Sequence, residues 1–263
     1  MHHVFANERK LLVIEQEIAI AWRIQQSNLP TNLKPPEGLA IAARYIPMSA
    51  VAGDFYDFQM KNETGIGMLL ADVSGHGIGA ALIGSMLKIA FASQTENLAD
   101  PAKVLTEINR ILRGKIEGSF VTACSIFIDI TNFRLYYASA GHPPSLLWKK
   151  SKREMYKFPL GGTILGPFPN PIYENLTLNI SNNDRLVLYT DGVSETINKA
   201  GELFGNDRLE AFIEEHSSDS ADRTADQFIE HLYKWSGKSR DSSFEDDLTL
   251  IIIDITSNPG TQA

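Results

Sequence analysis

The sequence has a single cysteine, no long apolar run and no excess of positive charge. Cys124 has no possible partner within the 263 residues, so an intramolecular disulfide is excluded and a reducing compartment is expected. No stretch reaches the roughly 18 consecutive apolar residues of a membrane-spanning helix, and residues 1–5 lack the apolar segment of a secretory signal. We therefore expect a cytoplasmic protein that does not associate with membranes.

The charge balance excludes a further class of partner. The chain has 24 Lys and Arg residues against 32 Asp and Glu residues, which gives a formal net charge of −8 at pH 7. Because nucleic acids attract basic surfaces, this balance predicts no binding of nucleic acid. Hydrophobic residues make up 43% of the chain, the share expected of a globular domain with one sizeable core.

Strands outnumber helices in the predicted order of elements. Helices are expected at residues 78–93, 101–115, 206–215 and 221–235. Apolar, β-branched and aromatic runs predict strands at residues 39–45, 51–58, 68–71, 120–130, 133–140, 145–149, 155–158, 173–180, 185–190 and 248–255. Because consecutive strands dominate over a strand–helix alternation, the sequence predicts an α+β fold of antiparallel sheets covered by helices.

The chain divides into three predicted parts. Residues 1–38 comprise a helix, expected over residues 8–29, and a proline-rich connector. Residues 39–256 form the globular domain, and residues 257–263 form a flexible tail. The apolar stripe of the helix covers about two heptads, fewer than a coiled coil needs. The helix is therefore expected either to pack on the domain or to act as a regulatory or dimerisation segment.

Four acidic positions share one context, a carboxylate at the end of a strand beside glycine or another acid. They are Asp54, Asp72, Asp191 and the pair Asp246-Asp247. Asp54 is also typical of a turn, and Asp72 of a helix N-cap. Asp191 before Gly192 is typical of a hairpin turn, and the acidic pair is typical of a protected strand edge. If the strands beside these residues end together, three or four carboxylates lie close to one another.

Such a cluster would repel itself and raise its own pKa values unless a cation compensates the charge. Oxygen ligands select hard ions such as Mg²⁺ or Mn²⁺, and the single cysteine excludes a thiolate zinc site. Two such ions could hold a hydroxide between them and bind a phosphoryl group for in-line attack. The pattern therefore predicts hydrolysis of a phosphate ester.

The stretch that follows Asp72 allows a competing interpretation. Residues 74–79 form a loop with three glycines, which lets the backbone approach a bound ion or phosphate closely. A nucleotide-phosphate cradle would use such a loop, but the Gly-Lys-Ser/Thr ending of a P-loop is absent from the sequence. We therefore favour a metal site over a nucleotide site.

Five blocks, in this order, resemble the metal-dependent type 2C (PPM-type) serine/threonine phosphatases, in their bacterial SpoIIE-like and RsbU-like branch. The blocks are residues 51–57 (VAGDFYD), 72–77 (DVSGHG), 140–144 (AGHPP), 188–193 (LYTDGV) and 246–249 (DDLT). The resemblance covers residues 39–255 together with residues 23–30. It implies a four-layer α-β-β-α sandwich, with two central antiparallel sheets flanked by helices.

The resemblance also implies a role for each candidate ligand. Asp72 would bridge two Mn²⁺ or Mg²⁺ ions, with the Val73 carbonyl on one of them, and a third ion is left open. Asp191 and Asp246 would hold the second ion, and Asp54 would bind directly or through water. The attacking species would be a metal-bridging water, so no protein nucleophile is implied.

The block around Asp54 departs from the family pattern at one residue. The family usually has two glycines before this aspartate, and Ala52 replaces the first of them, which is acceptable unless that residue needs a positive φ. Asp57 is expected to support Asp54. Asp247 is less favoured as a ligand than Asp246.

Two histidines in the resembling blocks have either a catalytic or a structural role. His76 and His142 could each take part in catalysis. A capped turn or a hydrogen bond within the core explains either residue equally.

The resemblance further implies a substrate and a partner. In this branch the usual substrate is a phosphoserine or phosphothreonine on an anti-sigma-factor antagonist (STAS) protein, within a partner-switching pathway. The N-terminal helix occupies the place where the family often joins a sensor domain, so an activating partner or a homodimer through residues 8–29 is expected. The alternative is a catalytically silent PPM-fold interaction module, and the retention of Asp54, Asp72, Asp191 and Asp246 weighs against it.

Overall fold

The computed structural model describes residues 2–30, 34–116 and 118–256. The helices are α1 (His2–Asn28), α2 (Ile78–Ala92), α3 (Pro101–Leu112), α4 (Asp191–Glu195), α5 (Asn206–Glu215) and α6 (Ala221–Ser236), with a 3-10 helix at Thr95–Asn97. The strands are β1 (Leu39–Ile46), β2 (Phe55–Met60), β3 (Gly65–Val73), β4 (Val121–Asp129), β5 (Arg134–Ala140), β6 (Leu146–Lys149), β7 (Glu154–Lys157), β8 (Leu176–Asn179), β9 (Arg185–Tyr189) and β10 (Leu248–Ile255). Of the helices in these ranges, none has both the length and the apolar character to cross a membrane.

The strands form two five-stranded sheets. The first sheet has the order β1-β10-β9-β6-β7, and the second sheet has the order β2-β3-β4-β5-β8. Every ladder between neighbouring strands is antiparallel. The prediction of antiparallel sheets is therefore confirmed.

Helices cover the outer face of each sheet. α2 and α3 pack on the second sheet, whereas α5 and α6 pack on the first. One apolar cluster lies under α2 and α3, a second fills the space between the sheets, and a third lies under α5 and α6. These three buried layers define the four-layer α-β-β-α sandwich, which confirms the expected fold class.

The predicted boundaries differ from the observed ones at a few places. β2 begins at Phe55, so the prediction of a strand from residue 51 is wrong for residues 51–54, which form a buried loop. β8 is shorter than the predicted strand over residues 173–180, and α1 begins six residues before the predicted start at residue 8. α4 was not predicted. The expected flexible tail at residues 257–263 lies outside the described residues.

The end of α1 is attached to the globular domain. The Gln25 side chain is 7% exposed, donates to the Ala52 carbonyl at 2.7 Å and accepts from the Ala52 N–H at 3.0 Å. Asn28 donates to the Ser85 hydroxyl on α2 at 3.1 Å. Packing of this helix on the domain is therefore confirmed for its last turns. Large apolar side chains of α1 remain exposed: Leu12, Val13, Ile14, Ile20, Trp22 and Ile24.

Candidate metal centre

Four segments carry the candidate ligands to one end of the sandwich. Asp54 ends the loop before β2, and Asp72 is the penultimate residue of β3, so both belong to the second sheet. Asp191 begins α4 two residues after β9, and Asp246 lies two residues before β10, so both belong to the first sheet. The apolar strands between them are buried, which fixes where each acidic end emerges.

The structure contradicts the simple structural explanations of these acids. The N-cap of α2 is Gly77 and not Asp72, which lies within β3. Asp191 begins a helix instead of forming a hairpin turn. β10 lies between β1 and β9, so the acidic pair before it does not protect a sheet edge. Asp54 is a buried residue that the opposite sheet contacts.

Two threonines of the first sheet bind the Asp54 carboxylate. The Thr190 and Thr249 hydroxyls both donate to Oδ2 of Asp54, at 2.7 and 2.5 Å. Thr190 also accepts from the Thr249 N–H at 3.0 Å, so its hydroxyl is not used to cap α4. Within the described ranges no hydrogen bond reaches Oδ1, which leaves that oxygen for a ligand. Sequence reasoning assigned no role to either threonine, although both stand in the resembling blocks.

Gly53 allows the Asp54 loop to lie against the end of β3. A Cβ at residue 53 would come within 2.8 Å of the Val73 carbonyl oxygen and 3.2 Å of the Gly75 carbonyl oxygen. The Val73 N–H also donates to the Gly53 carbonyl at 3.3 Å. The glycine therefore brings Asp54 next to the segment that contains Asp72 and the Val73 carbonyl. Ala52 is absent from the residues with positive φ, so its methyl group is tolerated.

Asp246 and Asp247 have different surroundings. Asp247 is buried and accepts from the Met48 N–H at 2.7 Å and from the Gly53 N–H at 2.6 Å. Asp246 is exposed and borders a cavity of about 220 Å³ that Gly192, Glu195, Thr196 and Glu245 also line. Asp247 thus holds the Asp54 loop, and Asp246 faces the solvent beside Asp191.

Gly192 allows the backbone of the acidic pair Asp246-Asp247 to lie directly against α4. A Cβ at residue 192 would lie 2.0 Å from the Asp247 carbonyl oxygen, which no relaxation of a side chain could relieve because the atom belongs to the backbone. The close approach places Asp191 beside Asp246. It explains why glycine follows the aspartate in this block.

The electrostatics reflect how near the acids lie to one another. Burial, together with the charges of Asp191, Asp246 and Asp247, raises the pKa of Asp72 to about 7. Burial, with the charge of Asp246 next, raises the pKa of Asp191. Burial raises the pKa of Asp54 well above its usual range, with a contribution from Asp72. These shifts are the response of carboxylates that a cation would stabilise.

The donor set fits a hard divalent cation in its chemistry, because it consists of carboxylate and carbonyl oxygens. The carboxylates are near one another without being in contact. Among the side chains that the structure describes, in residues 12–30, 34–116 and 118–256, no three of His, Cys, Asp or Glu are arranged closely enough to hold one ion.

The remaining predicted residues lie elsewhere. Asp57 forms an ion pair with Lys88 of α2 at 2.9 Å, so its carboxylate supports that helix and not Asp54. His76 is exposed in the loop between β3 and α2. His142 is buried and bonded to the Thr122 hydroxyl at 3.0 Å, which matches the interpretation as a core hydrogen bond.

Comparison with known proteins gives consistent results. The family model "Stage II sporulation protein E (SpoIIE)" matches residues 62–256. Phosphoserine phosphatase RsbU of Bacillus subtilis (strain 168) is 33% identical over 241 residues, which cover 91% of this chain and 70% of RsbU.

Solved structures agree in fold. The SiaA-PP2C domain of Pseudomonas aeruginosa superimposes with a TM-score of 0.81 at 21% identity, covering 93% of this chain and 98% of that one. The catalytic domain of the serine/threonine protein phosphatase PstP, in complex with two manganese ions, gives a TM-score of 0.57 at 15% identity, covering 83% of this chain and 99% of that one. Given the sandwich, the acidic strand ends and the matches to SpoIIE and RsbU, the chain belongs to the SpoIIE family of PPM-type phosphatases.

Proposed function

We propose that this chain is a metal-dependent protein phosphatase that hydrolyses phosphoserine or phosphothreonine. The observation that carries the proposal is the gathering of Asp54, Asp72, Asp191 and Asp246 from both sheets, where burial and neighbouring carboxylates raise the pKa values of Asp54, Asp72 and Asp191. Similarity to the phosphoserine phosphatase RsbU supports the choice of substrate class.

Each ligand has a role in this proposal. Asp72 and the Val73 carbonyl would hold one Mn²⁺ or Mg²⁺ ion, and Asp191 and Asp246, together with Asp72, would hold a second. When bound, such ions supply a water activated for in-line attack and neutralise charge on the phosphoryl group.

The protein's own groups orient this site. Thr190 and Thr249 hold Asp54 through Oδ2, which leaves Oδ1 for an ion. Asp247 fixes the loop that carries Asp54 by accepting two backbone N–H groups.

We further propose that the substrate is a phosphorylated STAS-domain antagonist in a partner-switching pathway. The resemblance of the five sequence blocks to the SpoIIE-like and RsbU-like branch supports this class of substrate. The test compares Mn²⁺-dependent release of phosphate from a phosphorylated STAS protein and from phosphorylated casein. A kcat/KM at least about tenfold higher for the STAS protein is expected, which corresponds to roughly 1.4 kcal/mol of differential transition-state binding. Equal values for the two proteins would contradict the choice of substrate.

The N-terminal helix is proposed as the site through which an activating partner or a second copy of the chain acts. The support is the pair of hydrogen bonds between Gln25 and the backbone of Ala52, two residues before Asp54. A shift of α1 would move this loop. Gln25→Ala is expected to change phosphatase activity, whereas Gln16→Ala on the exposed part of the same helix is expected to leave it unchanged. Identical activity of the two variants and of the wild type, with and without the partner, would contradict this role.

A further inference from the structure

The buried imidazole of His142 is bonded to a hydroxyl group that is partly exposed to solvent. Its side chain is 0% exposed, and its backbone N–H donates to the Ser139 hydroxyl at 3.2 Å. Nδ1 of the ring lies 3.0 Å from the Thr122 hydroxyl. The Thr122 hydroxyl is half-buried, so this hydrogen bond joins the buried His142 ring to a residue at the surface of the sandwich.

Thr122 is the direct neighbour of Asp72. The two residues are paired in the antiparallel ladder between β4 and β3. Directly opposite residues of such a ladder project their side chains on the same face, with Cβ atoms roughly 4.5–5.5 Å apart. The imidazole is therefore connected, through one hydroxyl group, to the strand position that faces Asp72.

The other ring nitrogen faces the opposite sheet. The main chain of Tyr189, the last residue of β9 and two residues before Asp191, lies close enough to the ring to influence its pKa. Within the described ranges, Nε2 has no partner of normal hydrogen-bond geometry, although it is buried. Because Nδ1 is bonded to Thr122, Nε2 is the ring nitrogen left for Tyr189.

The protonation state of the ring follows from its burial. Burial lowers the pKa of His142 to about 3, so the imidazole is neutral and carries one N–H group. A carbonyl oxygen can only accept, so an N–H directed at Tyr189 belongs to Nε2. Nδ1 then accepts from the Thr122 hydroxyl, whose lone pairs remain available on the Asp72 side.

We propose that His142 is a positioning residue that fixes the separation of the strand ends bearing Asp72 and Asp191, acting through Thr122 on one sheet and the Tyr189 main chain on the other. This inference rests on the proposed metal-dependent function, because it concerns two proposed ligands of that site. Groups that orient metal ligands from behind typically change metal affinity by about 10- to 100-fold when they are removed. A histidine that only fills the core would change stability instead.

The test measures Mn²⁺ binding to the metal-free protein by calorimetry, together with the thermal unfolding midpoint. His142→Phe and Thr122→Val are each expected to weaken Mn²⁺ binding by about 10- to 100-fold. The double variant should bind Mn²⁺ no more weakly than the weaker-binding single variant, because both substitutions remove the same hydrogen bond between residues 142 and 122. Thr122→Ser, which keeps the hydroxyl, should bind as the wild type does.

Leu147→Ala provides the matched control, because Leu147 is buried in the cluster between the sheets. It should lower the unfolding midpoint without changing Mn²⁺ affinity. If His142→Phe does not fold, Thr122→Val and Thr122→Ser decide the question, since both are close in size to the wild-type residue. Unchanged affinity in Thr122→Val would overturn the inference. If the wild type itself binds no Mn²⁺, the proposed function fails, and this inference fails with it.

Discussion

The Thr249 hydroxyl donates a hydrogen bond of 2.5 Å to the Asp54 carboxylate. Thr249 lies on a central strand of the first sheet, whereas Asp54 lies in the loop that leads into the second sheet. Thr190 donates to the same oxygen. The orientation of Asp54 is therefore determined by the opposite sheet. A candidate metal ligand in a loop is held in this way as firmly as one on a strand.

Replacement of Thr249 by valine tests this arrangement. Valine has nearly the same shape but no hydroxyl, so the buried Asp54 carboxylate loses a donor. The free energy of unfolding is expected to fall by about 1–3 kcal/mol, and Mn²⁺ affinity should fall as well. Urea unfolding and calorimetric titration measure the two effects. Thr249→Ser should retain both properties, and an unchanged Mn²⁺ affinity in Thr249→Val would contradict the role of the hydroxyl.

Substitution by asparagine is predicted to affect mainly turnover at Asp246 and mainly stability at Asp247. Asp246→Asn should reduce metal-dependent turnover by at least about 100-fold, which is the upper range for groups that only support a ligand. Its stability should change by less than about 0.5 kcal/mol because the residue is exposed.

Asp247→Asn should instead lower stability by about 1.5–3 kcal/mol. The Met48 and Gly53 N–H groups donate to different carboxylate oxygens of Asp247, and asparagine replaces one of these oxygens with an NH2 group that cannot accept. Chemical unfolding and Mn²⁺ titration of both variants check the assignment. Loss of Mn²⁺ binding in Asp247→Asn alone would show that the ligand is the other member of the pair.

The acidic cluster is predicted to make the metal-free protein less stable as the pH rises. The folded-state pKa values of Asp72, Asp191 and Asp247 lie above the usual value near 3.9, so these groups bind more protons in the folded protein than in the unfolded chain. Their stability contribution is present at low pH and is lost between about pH 4 and pH 7, the value for Asp72. Buried His142, whose pKa is lowered to about 3, opposes this trend below about pH 6.5, so the measurement compares the wild type with Asp72→Asn in chelator. The unfolding midpoint of the wild type relative to that variant should be lower at pH 8 than at about pH 5.5.

Added Mn²⁺ should raise the unfolding midpoint most at the higher pH, because the ligands are then ionised. Asp72→Asn should reduce both the pH dependence and the effect of Mn²⁺. A midpoint that rises with pH in chelator, with no response to Mn²⁺ at any pH, would contradict the acidic cluster as a cation site.

Cys124 is predicted to react only after unfolding. It is buried within β4, and burial raises the pKa of its thiol to about 12, so almost no thiolate is present at neutral pH. A chromogenic disulfide reagent should find no reactive thiol in the native protein and one thiol per chain in denaturant. Rapid labelling of the native protein would contradict the packing between the sheets.

The sequence was most informative where a pattern is local. The alternation of β-branched residues placed β4 and β10 to within one residue, whereas β3 begins three residues before and ends two residues after the predicted run at residues 68–71. Each of the acidic ends could be found because a strand leads into it. Convergence of these ends required the resemblance, since no local rule states which strands share a sheet.

Long-range contacts explain what the sequence could not predict. Residues 51–54 look like the start of a strand because Val51 and Ala52 are apolar. The segment is instead a buried loop held by Gln25 of α1 and by Asp247, which are 27 and 194 residues distant from their partners. The Thr190 and Thr249 hydroxyls belong to buried strand ends, where a threonine is unremarkable until Asp54 is seen beside it. α4 begins at an Asp-Gly pair that also favours a hairpin.

The central claim is tested most directly by release of phosphate from p-nitrophenyl phosphate, with Mn²⁺, with Mg²⁺ and with chelator, for the wild type and Asp72→Asn. We expect turnover that needs a divalent ion, stops in chelator and falls by at least about 100-fold in the folded Asp72→Asn variant. Turnover that survives both chelation and the substitution would contradict the assignment of these carboxylates as the metal centre of a phosphatase.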